Sequence, residues 1–186
     1  VLEGKNQKES PLNLSLSDYN NMAYEDFTTC LTETLVNREN YLFNYYYQQE
    51  GLQELIHSLQ IYLEKSAIYA KKENILVTSG TQQALYILSQ VHFPNHKETI
   101  LLEQPTYHRM IDLIRSLNLP YRTIERDFDG INLTKLENLF KTGNIKFFYT
   151  ISRFSNPLGL SYSTSEKQKI VELAKRYNVY IIEDDY

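Results

Sequence analysis

Four short segments of this chain place chemically capable groups where two elements of secondary structure meet. Thr78-Ser79-Gly80-Thr81-Gln82-Gln83 joins a strand-like run to a helix-like one. Gly80 permits a tight turn there. The first N–H groups of the helix, with the hydroxyls of Ser79 and Thr81, make an anion site suited to a phosphate; the same residues also serve as a plain helix cap. Pro105-Thr106-Tyr107 offers an aromatic face, which stacks on a heteroaromatic ring or simply covers a helix start. Asn156-Pro157-Leu158-Gly159 offers an amide that donates to a ligand oxygen or braces the turn. Glu183-Asp184-Asp185-Tyr186 sets three acids at a strand end. A carboxylate buried there needs a protonated ring nitrogen, a metal or an arginine. The sequence contains neither G-x-G-x-x-G nor G-K-[ST], so dinucleotide and P-loop readings fail.

The elements that position these groups follow from hydrophobic periodicity. Phe27, Leu31, Leu35 and Val36 predict a helix from Tyr24 to Val36, and Leu52, Leu55, Ile56, Leu59 and Leu63 predict one over 52–65. A strand over 74–78 is then followed by alternating helices (81–91, 107–117, 133–141 and 163–177) and strands (99–103, 121–125, 145–151 and 179–182). Ser163-Thr164-Ser165-Glu166 has the spacing of a capping box. Short strands separated by helices predict an α/β fold: a mainly parallel sheet with helices on both faces. Ligands of such sheets bind beyond the carboxyl ends of the strands, where the four segments lie.

The 186 residues carry a net charge of −4, which gives no electrostatic drive toward nucleic acid. A single cysteine, Cys30, excludes an internal disulfide framework and a cysteine zinc cluster; it is expected in a core. Pro94 between His92 and His96 breaks the helix that a metal pair would need, and no metal site is expected. No apolar run reaches the length of about 18 residues that a membrane span requires. No signal peptide opens the chain, and the expected setting is the cytosol. Val1 stands where Met would begin a protein and Tyr186 follows an unfinished acidic turn, so the chain reads as part of a longer one.

Together, the phosphate-type turn, aromatic, amide and carboxylate describe a flat, phosphorylated, hydroxylated pyridine held at its edge and face: pyridoxal 5'-phosphate. From about Leu12 to Tyr186 the chain resembles the first part of a fold-type I enzyme of the class I/II aminotransferase superfamily. It is most similar to the aminotransferase-like domain of MocR-type regulators in the GntR group. The narrower likeness rests on Glu183-Asp184-Asp185-Tyr186 after Ile181-Ile182, on Tyr46 to Leu55, and on Leu12-Asn13-Leu14-Ser15-Leu16. The resemblance implies that Ser79, Gly80, Thr81 and Gln82 hold the cofactor phosphate and that Tyr107 stacks on the ring. Asn156 and Tyr186 would reach the ring 3-hydroxyl, and Asp184 the ring nitrogen. Tyr46 would meet the cofactor phosphate of a neighbouring subunit in a homodimer, and Arg109 a ligand carboxylate. An aspartate that keeps the nitrogen protonated strengthens the ring as an electron sink, so Asp184 is expected to matter more for chemistry than for retention of the cofactor.

The sequence departs from the family at Gln48-Gln49-Glu50, at Leu158, and at Ile151-Ser152-Arg153-Phe154-Ser155. The expected domains are an arm, first helix and tyrosine-rich loop over 1–50 and the first part of the cofactor-binding large domain, with five strands, over 51–186. None of its lysines matches the one that the family joins to the cofactor. By the resemblance, the strand over 74–78 lacks the neighbour that it has in the family's seven-stranded sheet, so the 186 residues alone are expected to be unstable. The resemblance implies a sensor, a domain that binds an amino-acid-like or B6-related ligand and acts on DNA through a winged helix outside this chain. A free-standing aminotransferase is the alternative. A fold that has lost its cofactor is disfavoured by the presence of Gly80, Asn156 and Asp184.

Overall fold

The computed structural model describes residues 24–37 and 48–185, which fall into two compact units divided between Ala84 and Leu85. The first unit holds α1 (Tyr24–Asn37), α2 (Gln53–Glu64), a 3-10 turn at Lys72–Asn74 and the start of α3 (Thr81–Gln90). Of the predicted stripe on α2, Ile56 is buried, whereas Leu55 stays exposed. Val77 N–H donates to Glu50 O at 2.8 Å, which draws residues 75–78 against the turn before α2. Gly51 is required at that contact: its φ is +122°, and a Cβ would stand 2.8 Å from Val77 Cγ2.

Two expectations fail in this unit. The strand expected over 74–78 is instead the end of the 3-10 turn followed by extended chain without a ladder. An Ile-Leu-Val run becomes a strand only where a neighbouring strand pairs with it in a ladder, and among the described residues the single bond from Val77 to Glu50 does not make one. Leu76 accordingly remains 54% exposed. Cys30 is also exposed rather than in a core, because the described residues leave α1 uncovered, Phe27 and Leu31 included.

The second unit contains β1 (Thr99–Gln104), α4 (His108–Ser116), β2 (Tyr121–Asp127), β3 (Gly130–Ile131), α5 (Leu133–Thr142), β4 (Ile145–Thr150), α6 (Thr164–Arg176) and β5 (Tyr180–Glu183). The strands form one sheet in the order β3-β2-β1-β4-β5. It is parallel throughout except for the antiparallel β2–β3 pair, a short return that the sequence pattern did not announce. All six residues of β4 are buried, as a central strand covered on both faces requires.

Side chains alternate between the two faces. Leu101, Ile124 and Phe148 pack with Leu136 and Phe140 of α5 and with Ile170 and Leu173 of α6. Ile100, Leu102, Phe147 and Tyr149 pack on the other face with Leu85 of α3 and with Met110 and Ile114 of α4. The predicted capping box closes α6: Ser163 Oγ accepts from Glu166 N–H, and the Glu166 carboxylate accepts from Ser163 N–H. Among the described residues no helix is long and apolar enough to cross a membrane.

This packing predicts a hierarchy of mutational costs. Phe148→Ala opens a cavity in a fully buried cluster and is expected to cost about 3–5 kcal/mol. Ser163→Ala removes one cap and is expected to cost about 1 kcal/mol. Guanidinium denaturation of the full-length protein, followed by circular dichroism, measures both; equal effects would contradict the assignment of Phe148 to the core.

Candidate functional site

The carboxyl ends of β1, β4 and β5 stand side by side, and each is followed by a residue singled out from the sequence: Tyr107, Asn156 and Asp184. At about 4.8 Å per strand, the three chain exits lie within roughly 10 Å of one another. Tyr107 is half-buried at the N-cap of α4 and packs on the same apolar cluster as Tyr149. Its ring meets that of His108 edge-on, with centroids 5.4 Å apart. Arg109 is exposed in the first turn of the same helix. Asn156 is half-buried, immediately before a cis peptide bond to Pro157.

Ser79, Gly80, Thr81 and Gln82 belong to the other unit, where all four are exposed at the start of α3. Gly80 has φ +86°, and nothing lies within 4 Å of where a Cβ would be, so its requirement is conformational. Gln83 closes the turn by accepting from Ser79 N–H at 2.6 Å. Tyr46 and Tyr186 lie outside the described residues.

The three consecutive acids at the end of β5 and just beyond it are distinguished by partners from the end of β4 and the segment after it. Glu183 accepts a hydrogen bond from Ser152 Oγ. Asp185 takes a bidentate grip from Arg153, whose Nε lies 3.0 Å from Oδ1 and Nη2 2.5 Å from Oδ2. Asp184 is half-buried, its N–H donates to Thr150 O at 3.0 Å, and its Oδ2 accepts from Tyr149 Oη at 2.6 Å. Asp185 therefore spends its charge on an arginine, whereas the partner of Asp184 is a neutral hydroxyl. Burial first, and then the bond to Asp184, push the Tyr149 phenol well above the usual tyrosine range, so it stays a donor.

Beneath these loops lies a network that sequence reasoning missed. Glu103 in β1 and Arg126 in β2 form an ion pair at 2.8 Å with both side chains 1% exposed. Glu103 Oε1 also accepts from Thr150 Oγ1, and from Tyr162 Oη at 2.5 Å. Arg126 donates from Nη1 to Ile151 O at 2.7 Å and from Nη2 to Leu160 O at 3.1 Å. Its guanidinium lies over the Tyr162 ring, 3.9 Å from the centroid. Both ends of the loop that carries Asn156 are thus pinned to one buried cation. Ser155 N–H to Leu160 O at 2.8 Å and Tyr162 N–H to Ser152 O at 2.9 Å tie the loop to itself. The available signal was a glutamate closing the buried run Ile100-Leu101-Leu102, an expensive position for an unpaired acid.

The chain is similar to known proteins over nearly its whole length. The family model for aminotransferase class I and II matches residues 9–186. An uncharacterised HTH-type transcriptional regulator of Bacillus subtilis, YcxD, is 40% identical over 186 residues, which is 99% of this chain and 42% of the relative. Aromatic-amino-acid aminotransferase 1 of Thermococcus litoralis is 34% identical over 127 residues, 66% of this chain and 30% of that protein. Among solved structures, a kynurenine aminotransferase of Pyrococcus horikoshii superposes with a TM-score of 0.76 at 26% identity, covering 88% of this chain and 41% of that one. The chain thus spans less than half the length of these relatives.

The buried pair makes a test of its own. Glu103→Leu leaves the Arg126 charge enclosed without its carboxylate and is expected to cost about 3–5 kcal/mol, most of it recovered by adding Arg126→Met. Denaturant midpoints of the full-length protein measure this, and additive losses would show that the two residues are not coupled.

Proposed function

The chain belongs to the aminotransferase class I and II family, and from that premise we propose that it is the cofactor-binding part of a MocR-type transcriptional regulator. It holds pyridoxal phosphate and responds to an amino-acid-like or B6-related ligand. The observation that carries the cofactor reading is the environment of Asp184: a half-buried carboxylate, paired with a neutral donor, beside the strand ends that bear Tyr107 and Asn156. That donor set fits a protonated pyridine ring, which supplies the cation that Asp184 lacks.

In this reading the Asp184 carboxylate holds a proton at the ring nitrogen, and the Asn156 amide donates to the ring oxygen. Tyr107 covers one face of the ring and keeps water from it, while Arg109 meets a ligand carboxylate. The phosphate falls to Ser79, Gly80, Thr81 and Gln82, whose turn offers helix N–H groups and hydroxyls. Tyr186 would join Asn156 at the ring oxygen, and Tyr46 would serve the phosphate of a second copy in a homodimer. When bound, pyridoxal phosphate supplies an electron-withdrawing ring for an attached amine. The large domain is assigned to residues 51–186, with 1–50 as its arm and leading helix.

The regulator reading is favoured because the relative matching 99% of this chain is an HTH-type regulator. The aminotransferase reading keeps a specific support in the Thermococcus litoralis enzyme, 34% identical over 127 residues. Both use the same cofactor contacts, so the test must reach beyond them. Full-length protein titrated with pyridoxal phosphate is expected to develop a visible absorption band, and Asp184→Ala to weaken cofactor binding about tenfold, as loss of a charged partner implies. DNA from upstream of its own coding sequence is expected to change affinity by about fivefold or more when cofactor and amino acid are added. No band overturns the cofactor reading. A band with steady transamination and no DNA binding selects the enzyme.

A further inference from the structure

Tyr149 sits in the middle of an aromatic run, Phe147-Phe148-Tyr149, on the central strand, and its side chain is fully buried. A phenylalanine would fill the same apolar space. The hydroxyl adds nothing to that packing and would oppose burial if it were unpaired. It is paired: Oη donates to Asp184 Oδ2 at 2.6 Å. Ile182 packs on the Tyr149 face of the sheet, so the two-residue repeat of a strand directs Asp184 toward that face as well. The backbone bond from Asp184 N–H to Thr150 O continues the β4–β5 ladder and fixes the base of the side chain.

The acids on either side are engaged elsewhere, Glu183 by Ser152 and Asp185 by Arg153. Among the described residues the Asp184 carboxylate has no cationic partner and no second donor, so the tyrosine alone sets its rotation about Cβ–Cγ. We propose that Tyr149 is a positioning residue for the ring-nitrogen contact: its buried hydroxyl holds one oxygen of Asp184 and thereby aims the other at the ligand. A neutral donor suits this role, because it orients the carboxylate without cancelling the charge that a pyridinium would meet. The inference rests on the pyridoxal phosphate reading of the site.

The test is a double-mutant cycle in the full-length protein with pyridoxal phosphate as the probe, read as the dissociation constant from absorbance titration. Tyr149→Phe is expected to weaken binding about fivefold, part of the worth of one hydrogen bond to a charged group. In the Asp184→Ala background the same substitution is expected to change it by less than about twofold, since its effect passes through a carboxylate no longer present. The visible band of bound cofactor should also move in Tyr149→Phe at saturating cofactor, a change that general loosening of the core would not produce in one background only. Equal losses in both backgrounds would show a merely structural role and overturn the proposal. Unchanged affinity and band position in Tyr149→Phe, with a wild type that binds, overturn this inference alone. A wild type that binds no cofactor overturns the underlying reading and this inference with it.

Discussion

A charge pair enclosed at the carboxyl edge of the sheet governs what the loops above it can do. Glu103 and Arg126 are removed from water, and a buried ion pair is tolerated only when its remaining lone pairs and protons are satisfied. Thr150, Tyr162 and two backbone carbonyls satisfy all but the Arg126 Nε–H, and each of those groups belongs to β4 or to the segment that follows it. The desolvation requirement of one arginine therefore becomes a geometric constraint on residues 151–162. Asn156 sits inside that constrained segment, so its amide is placed by a network whose members do not themselves face the candidate ligand.

A second constraint acts on the opposite face. Three successive carboxylates would repel one another and scatter if left alone, but each meets a different donor from β4 or the segment after it. An arginine neutralises Asp185, a serine hydroxyl holds Glu183, and a tyrosine hydroxyl holds Asp184. The outcome is a division of labour by donor type. An acid oriented by a neutral group keeps its attraction for an incoming cation, and of the two so held, Glu183 and Asp184, it is Asp184 that is directed to the Tyr107 side of the sheet.

Much of the fold was legible because its signals are local. The capping box of α6, the apolar stripes of α4 and α5 and the buried runs of β1 and β4 each declare themselves within a few residues. The strand expected at 74–78 was misread because Ile75-Leu76-Val77 reports a preference for burial, and pairing depends on a neighbour that no local signal describes. Cys30 was misplaced for a related reason: helical periodicity predicts which side of α1 is apolar, not whether anything covers it. Of the candidate site, Tyr107, Asn156 and Asp184 could be found because each follows a strand. Glu103, Arg126 and Tyr149 could not, since their partners lie 23 to 59 residues away and their types are ordinary in strands.

The same facts bear on why one family can contain both catalysts and sensors. In the proposed reading, a cofactor pocket whose contacts are fixed from below, by a buried ion pair on one face and a buried phenol on the other, does not depend on what the ligand does after it arrives. A catalyst must release its product and reset, whereas a sensor must convert occupancy into a change elsewhere in the protein, through differential affinity of the ligand for two conformations. The described sheet contributes rigidity to either task, because its pinned loop and oriented carboxylate are features of a single arrangement. Whatever element has two arrangements must therefore be sought outside the clamped strand ends.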